Sequence, residues 1–152
     1  MHQKPTDDLD EQLKSMDPGQ LDVYLKENRG YLAEAEKEFY YFVKSVLEKN
    51  NIMLKVVYQR MDVEESVGSK IIRQERHTRN RDTIIKICLA GHFSLLETNR
   101  ALKLYNMREL YAKDPRDACL IVLINNRRFE IDDVDEVLKE KGFEGLMKVV
   151  KD

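Results

Sequence analysis

The densest group of chemically active side chains in this sequence is the run Arg73-Gln74-Glu75-Arg76-His77-Thr78-Arg79-Asn80-Arg81. Guanidinium groups at this spacing suit phosphate oxygens, because each donates hydrogen bonds in a planar fork and each neutralised phosphate releases counterions. Such a run also serves as a plain solvated face, so its meaning depends on where the fold points it. Cys88 and His92 stand four apart, and His77 and Cys119 could complete a metal set. The close paired-cysteine spacings of zinc modules are missing, however. Cys88 and Cys119 each lie inside an apolar run, which reads as core thiols and no metal or cofactor. Asp132-Asp133-Val134-Asp135-Glu136 lacks the alternating ligands and glycine of a calcium loop and reads as a solvated helix start. No phosphate-binding glycine loop, HExxH or Gly-x-Ser-x-Gly is present, so the sequence points away from an enzyme.

The charge around the basic run is segregated. The chain has 152 residues, 26 Lys+Arg and 28 Asp+Glu, for a formal net charge of −2. Residues 1–38 carry −5, residues 39–81 carry +4, residues 82–115 carry +1 and residues 116–152 carry −2. The total excludes a bulk polycation but leaves a local basic face. No apolar run approaches the roughly 18–20 residues of a membrane span. An N-terminus without an apolar stretch and only two cysteines lead us to expect a cytoplasmic protein.

Helical periodicity supplies the elements that must carry the run. Residues 1–16 read as a flexible tail and 17–37 as a helical segment opened by Asp17-Pro18 and stopped at Gly30. Leu32, Ala35, Phe39, Phe42, Val43, Val46 and Leu47 predict a helix with an aromatic-rich buried face. Met53–Met61 and Glu64–Arg73 predict two short helices with almost no linker, the geometry of a helix-turn-helix. A polar loop, 74–80, leads to a helix with Ile84, Ile85, Ile87, Cys88 and Leu89, ended by Gly91. Ser94-Leu95-Leu96-Glu97 is a capping box with Phe93 as its hydrophobic staple. Asp114-Pro115 opens a further apolar helix, Ile131 to Leu138 mark another, and Phe143, Leu146, Met147 and Val150 a last one.

Part of this pattern repeats. Arg81-Asp82-Thr83-Ile84 recurs as Arg116-Asp117-Ala118-Cys119, 35 positions on. With one residue inserted, Phe93 matches Phe129, Leu102-Lys103 matches Leu138-Lys139 and Leu110 matches Leu146. Two helical hairpins sharing one core account for this, as does a duplicated interaction surface.

Over Phe39–Tyr105 the order of helices and apolar positions resembles the Xre or lambda-repressor-like helix-turn-helix family. The likeness rests on Met61-Asp62-Val63 between the second and third helices, on Ser69-Lys70-Ile71, and on the loop Arg76-His77-Thr78-Arg79-Asn80. It continues through Ile84-Ile85-Lys86-Ile87-Cys88-Leu89 and Phe93-Ser94-Leu95-Leu96-Glu97. Leu110–Ala118 looks like the start of the C-terminal hairpin in a group of small bacterial proteins built on this module. The resemblance implies an all-α fold: a lambda-repressor-like domain over 38–106, with a helical hairpin over 107–152 packed on it. It also implies a non-catalytic transcriptional regulator that binds double-stranded DNA. Glu65, Ser66, Ser69, Lys70 and Arg73 would then face base edges and groove walls, and Lys55, Arg76 and Arg79 would face phosphates. A homodimer on two half-sites would compensate for the low net charge, with the C-terminal hairpins as candidate dimer surfaces.

The sequence differs from the family at several points. Leu54 stands where the family begins its second helix with a DNA-touching Gln, Tyr58 where it has a small Ala, and Ile72 where a Glu is common. Glu64 and Glu65 sit at the start of the third helix. These substitutions suggest a second expectation, a protein-interaction adaptor that kept the fold and lost groove reading.

Overall fold

The computed structural model describes Asp10, Glu11, Leu13, Lys14 and residues 16–27 and 37–147. Contacts divide the chain into two units, Met1–Glu38 and Phe39–Asp152. Helix is the only regular element among the described residues. None of those helices is long and apolar enough to cross a membrane.

In the first unit a 3₁₀ turn, Pro18–Gln20, runs into α1, Leu21–Glu27. Asp17 precedes the turn as expected, and its N–H donates to Gln20 Oε1 at 3.0 Å. The tail read over residues 1–16 falls mostly outside the described residues, as do the Gly30 stop and the helix start near Leu32.

The second unit runs α2 (Glu38–Lys49), α3 (Leu54–Met61), α4 (Glu65–Ile72), α5 (Arg81–Ala90), α6 (Leu95–Leu104), α7 (Pro115–Asn125) and α8 (Ile131–Glu140). Phe39, Val43, Leu47, Ile72, Ile84, Ile85, Phe93, Leu102, Leu120 and Leu138 fill a continuous core. The first five helices follow the predicted order, with α3 and α4 separated only by Asp62, Val63 and Glu64. α3 packs on α4 and α5, α5 on α6 and α8, and α7 on α6 and α8.

Every helix from α2 to α8 stops by one device. A residue in the left-handed region follows each: Asn51, Asp62, Gln74, His92, Asn106, Arg127 and Gly142. The next N–H then reaches back five residues, as in Ile52 to Leu47 O, Val63 to Tyr58 O and Phe93 to Cys88 O. That 6→1 bond caps a helix whose last carbonyls lack partners, and the residue supplying it commonly buries an apolar side chain. Gly91 ends α5 as expected, at a φ of −89°, and His92 after it makes the left-handed turn. Gly91 is also needed for space. A Cβ there would lie 2.7 Å from Phe93 Cε1 and 2.8 Å from Leu47 Cδ2.

Helix starts match the sequence more closely. Ser94 Oγ accepts from Glu97 N at 3.2 Å and Glu97 Oε1 accepts from Ser94 N at 2.9 Å, with Phe93 fully buried before them. Asp114 accepts from Arg116 N and Asp117 N, and Pro115 occupies the first helical position. Glu130 gives α8 no side-chain cap. Of the last helix expected, over Phe143, Leu146, Met147 and Val150, the described part, up to Met147, is not helical, and Val150 lies outside the described residues. Arg116 Nε donates to Glu144 O at 3.0 Å and Met147 N donates to Asp135 Oδ1 at 3.0 Å, so side chains hold this segment's backbone in an irregular path. Asp135 is therefore buried and engaged, unlike the solvated acid that the cluster suggested.

The repeat has a direct structural counterpart. Arg81 Nη1 and Nη2 each lie 2.8 Å from an oxygen of Asp117, while Arg116 Nη1 and Nη2 lie 2.9 and 2.8 Å from those of Asp82. The Arg-Asp dipeptide of one hairpin thus pairs with that of the other, fork to fork. Neighbouring contacts repeat too. Arg81 Nε donates to Arg108 O as Arg116 Nε does to Glu144 O, and Asn99 holds Leu110 N as Asp135 holds Met147 N.

Candidate nucleic-acid interface

α4 and the loop after it carry most of the expected contact residues. Glu65, Ser66, Lys70 and Arg73 are exposed along α4 and its C-cap, and Arg76 and Arg79 are exposed in the loop. Lys55 is exposed on the first turn of α3. The side chains of Lys55, Lys70, Arg76 and Arg79 make no hydrogen bond or ion pair among the described residues. Elsewhere several cations are committed: Lys49 to Glu97, Arg108 to Asp114, Arg128 to Asp133 and Lys139 to Asp135.

Two of the expected residues have structural duties. Ser69 is half-buried beside Tyr58, and burial raises the Tyr58 hydroxyl above the ordinary phenol value although Ser69 and Arg73 act the other way. The Arg73 guanidinium carbon lies 5.4 Å from the centroid of the Tyr40 ring, and Lys44 Nζ lies 5.5 Å from it. Tyr40 in turn lies 5.5 Å from the ring of the exposed Tyr41. Two cations and two tyrosines thus form an aromatic-basic patch beside α4.

Tyr58 also explains Gly68. A Cβ on Gly68 would lie 2.4 Å from Tyr58 Cδ1 and 2.7 Å from Cε1, so the ring of α3 occupies the space a side chain of α4 would need. The large residue at position 58 and the missing side chain at 68 are one packing solution. Leu54, in the place of the family's Gln, is half-buried against the core.

The loop is held from below by Tyr105, whose role beyond core filling the sequence did not suggest. Its hydroxyl proton is shared between Ile71 O at 3.2 Å and Arg76 O at 3.4 Å, and its oxygen accepts from Thr78 N at 3.3 Å. Its ring meets Phe39 edge-on at 4.8 Å. Asn80 closes the loop by accepting from Asp82 N at 3.1 Å, capping α5.

Two clefts border these elements. One, of about 280 Å³, lies between α3, α4 and α5 and includes Arg76 and Lys86 in its lining. The other is lined by Arg60, His92 and Phe129 among others. His92 stacks on Phe129 at 4.8 Å with 13° between planes, and Arg127 lies over the same Phe129 ring. Arg60 Nη1 donates to Ala90 O at 2.7 Å and sits 3.3 Å from His92 Nε2. Burial, with the charges of Arg60 and Arg127, holds His92 below the ordinary imidazole value. Cys88 is fully buried, and burial pushes its thiol far above the ordinary range, which suits a core role. No group of three or more His, Cys, Asp or Glu able to hold a metal ion occurs among the described residues. No family model, curated protein or solved structure matches the chain.

Proposed function

We propose that this protein is a non-catalytic, DNA-binding regulator that presents α3 and α4 to duplex DNA. One observation carries the reading. The +4 segment of the chain coincides with α3, α4 and the following loop, and Lys55, Lys70, Arg76 and Arg79 stand there exposed and unneutralised. In this reading Lys70 and Arg73, with Glu65 and Ser66, would face the major groove, and Lys55, Arg76 and Arg79 would face phosphates. Ser69, half-buried on the same helix, would reach the groove wall beside them. A second copy of the chain on a neighbouring half-site would double the cation count.

Fluorescence anisotropy with random and genomic duplexes across a salt series tests this reading. Three neutralised phosphates give a slope of log affinity against log salt of about −2.7. Arg79→Ala should weaken binding to all sequences and reduce that slope by about one, whereas Lys70→Ala should also change sequence preference. Absence of binding at low salt rejects the proposal. The exposed Glu64 and Glu65 at the start of α4, with the Tyr40–Tyr41 patch beside it, support the alternative of a protein adaptor.

A further inference from the structure

The cleft behind α4 combines two features that seldom coincide in an idle surface. One wall is apolar, formed by Met61, Val63, Val67, Ile71 and Ile87 with Met147 at one side, and Asn80 and Thr83 stand among the polar remainder. Two cations, Lys86 and Arg76, also line it, and neither side chain has a hydrogen bond or ion pair among the described residues. Lys86 is the lone charge in the apolar run of α5, between Ile85 and Ile87, and it is half-buried. Pairing a desolvated ammonium with an anion recovers part of what its burial costs, and a nearby apolar wall rewards an apolar ligand body.

We propose that this cleft binds a small amphiphilic acid, with its carboxylate on Lys86 and Arg76 and its hydrocarbon body against Val67, Ile71 and Ile87. A volume of about 280 Å³ is at the small end for ligand pockets, which favours a short-chain acid over a long one. The charges around the cleft favour a single acid over a dianion. Asp62 lines the rim, and Asp82 and Asp135 act on Lys86 from α5 and α8. Burial lowers the Lys86 ammonium below the ordinary lysine value, and those two carboxylates only partly reverse the effect. The site shares Arg76 with the DNA reading, but its apolar wall and Lys86 need no nucleic acid, and the titration that tests it contains none.

The full chain should be titrated with octanoate, 1-octanol and inorganic phosphate, by calorimetry and by methyl NMR of Val67 and Ile87. Octanoate should saturate the site and shift both methyl groups, with octanol and phosphate at least about tenfold weaker, the equivalent of 1.4 kcal/mol. Lys86→Met removes the charge and keeps the chain length, so it should cost octanoate about tenfold and leave octanol unchanged or tighter. Octanoate affinity should also fall as pH rises through the Lys86 titration. Phosphate binding as tightly as octanoate would overturn the amphiphile, and octanol binding as tightly would overturn the acid. Failure of octanoate to shift either methyl group would overturn the site. The wild-type comparison of three ligands decides the matter even if the Lys86 variant is poorly folded.

Discussion

At the scale of single residues, the packing of Tyr58 on Gly68 gives the sharpest prediction. Gly68→Ala would press a methyl group into the ring and should cost about 1–3 kcal/mol in chemical denaturation. Tyr58→Ala should cost about 3 kcal/mol by leaving a cavity. The double variant should be less damaging than the sum, because the new methyl group enters the vacated space. The sequence shows each residue as a separate oddity; nothing in it says that one fills the other's place. His92 gives a pH prediction with a definite sign. Its folded value lies below the unfolded value of 6.5, so the unfolded chain binds more protons through this window. Stability is thus full above about pH 6.5 and falls as pH drops toward the folded value. Thermal melts between pH 8 and 5 should show the loss, and His92→Asn, which tolerates the left-handed turn, should flatten it.

At the scale of elements, helix ends at Met61, Arg73 and Gly91 fall where the sequence places them, but the device that makes them was not readable as the starts were. Ser94, Asp114 and Pro115 announce themselves because caps act through their own side chains over two or three residues. The ends depend on a left-handed residue and a backward bond, and here glycine takes that place only once, at Gly142. Asp62, Gln74 and His92 look like ordinary polar positions in the sequence. The strain they carry predicts that Gln74→Gly, a change at an otherwise unremarkable site, should raise stability by about 0.5–1 kcal/mol in urea unfolding. The same locality explains why the segment 143–147 is not helical as its spacing led us to expect. Its apolar spacing is real, since Leu146 is buried, but Arg116 and Asp135 claim its backbone from far along the chain. The two helices of the basic face were legible because short amphipathic segments set their own boundaries. The hold of Tyr105 on their loop was not, because it joins positions about thirty residues apart.

At the scale of the whole second unit, the reciprocal Arg-Asp pairing dominates. Asp117 is 1% exposed; burial would raise its carboxyl, but the Arg81 hydrogen bonds, Tyr111 N–H and the Arg81 charge bring it below the ordinary value. Asp117→Asn leaves a guanidinium without its partner and should cost about 3 kcal/mol in denaturant unfolding. The exposed Lys103–Glu109 pair should contribute less than about 1 kcal/mol in the same measurement. The repeat was visible in the sequence as matching letters, but whether its copies would face solvent or each other was not. Their facing has a consequence for motion. Four charge-assisted bonds tie the first turn of α5 to the first turn of α7, so one hairpin cannot lift away without stripping both pairs. Amide hydrogens in those two turns, though far apart in the chain, should exchange with a common opening free energy and a common response to denaturant. The duplication has made two hairpins into one block that opens as a unit.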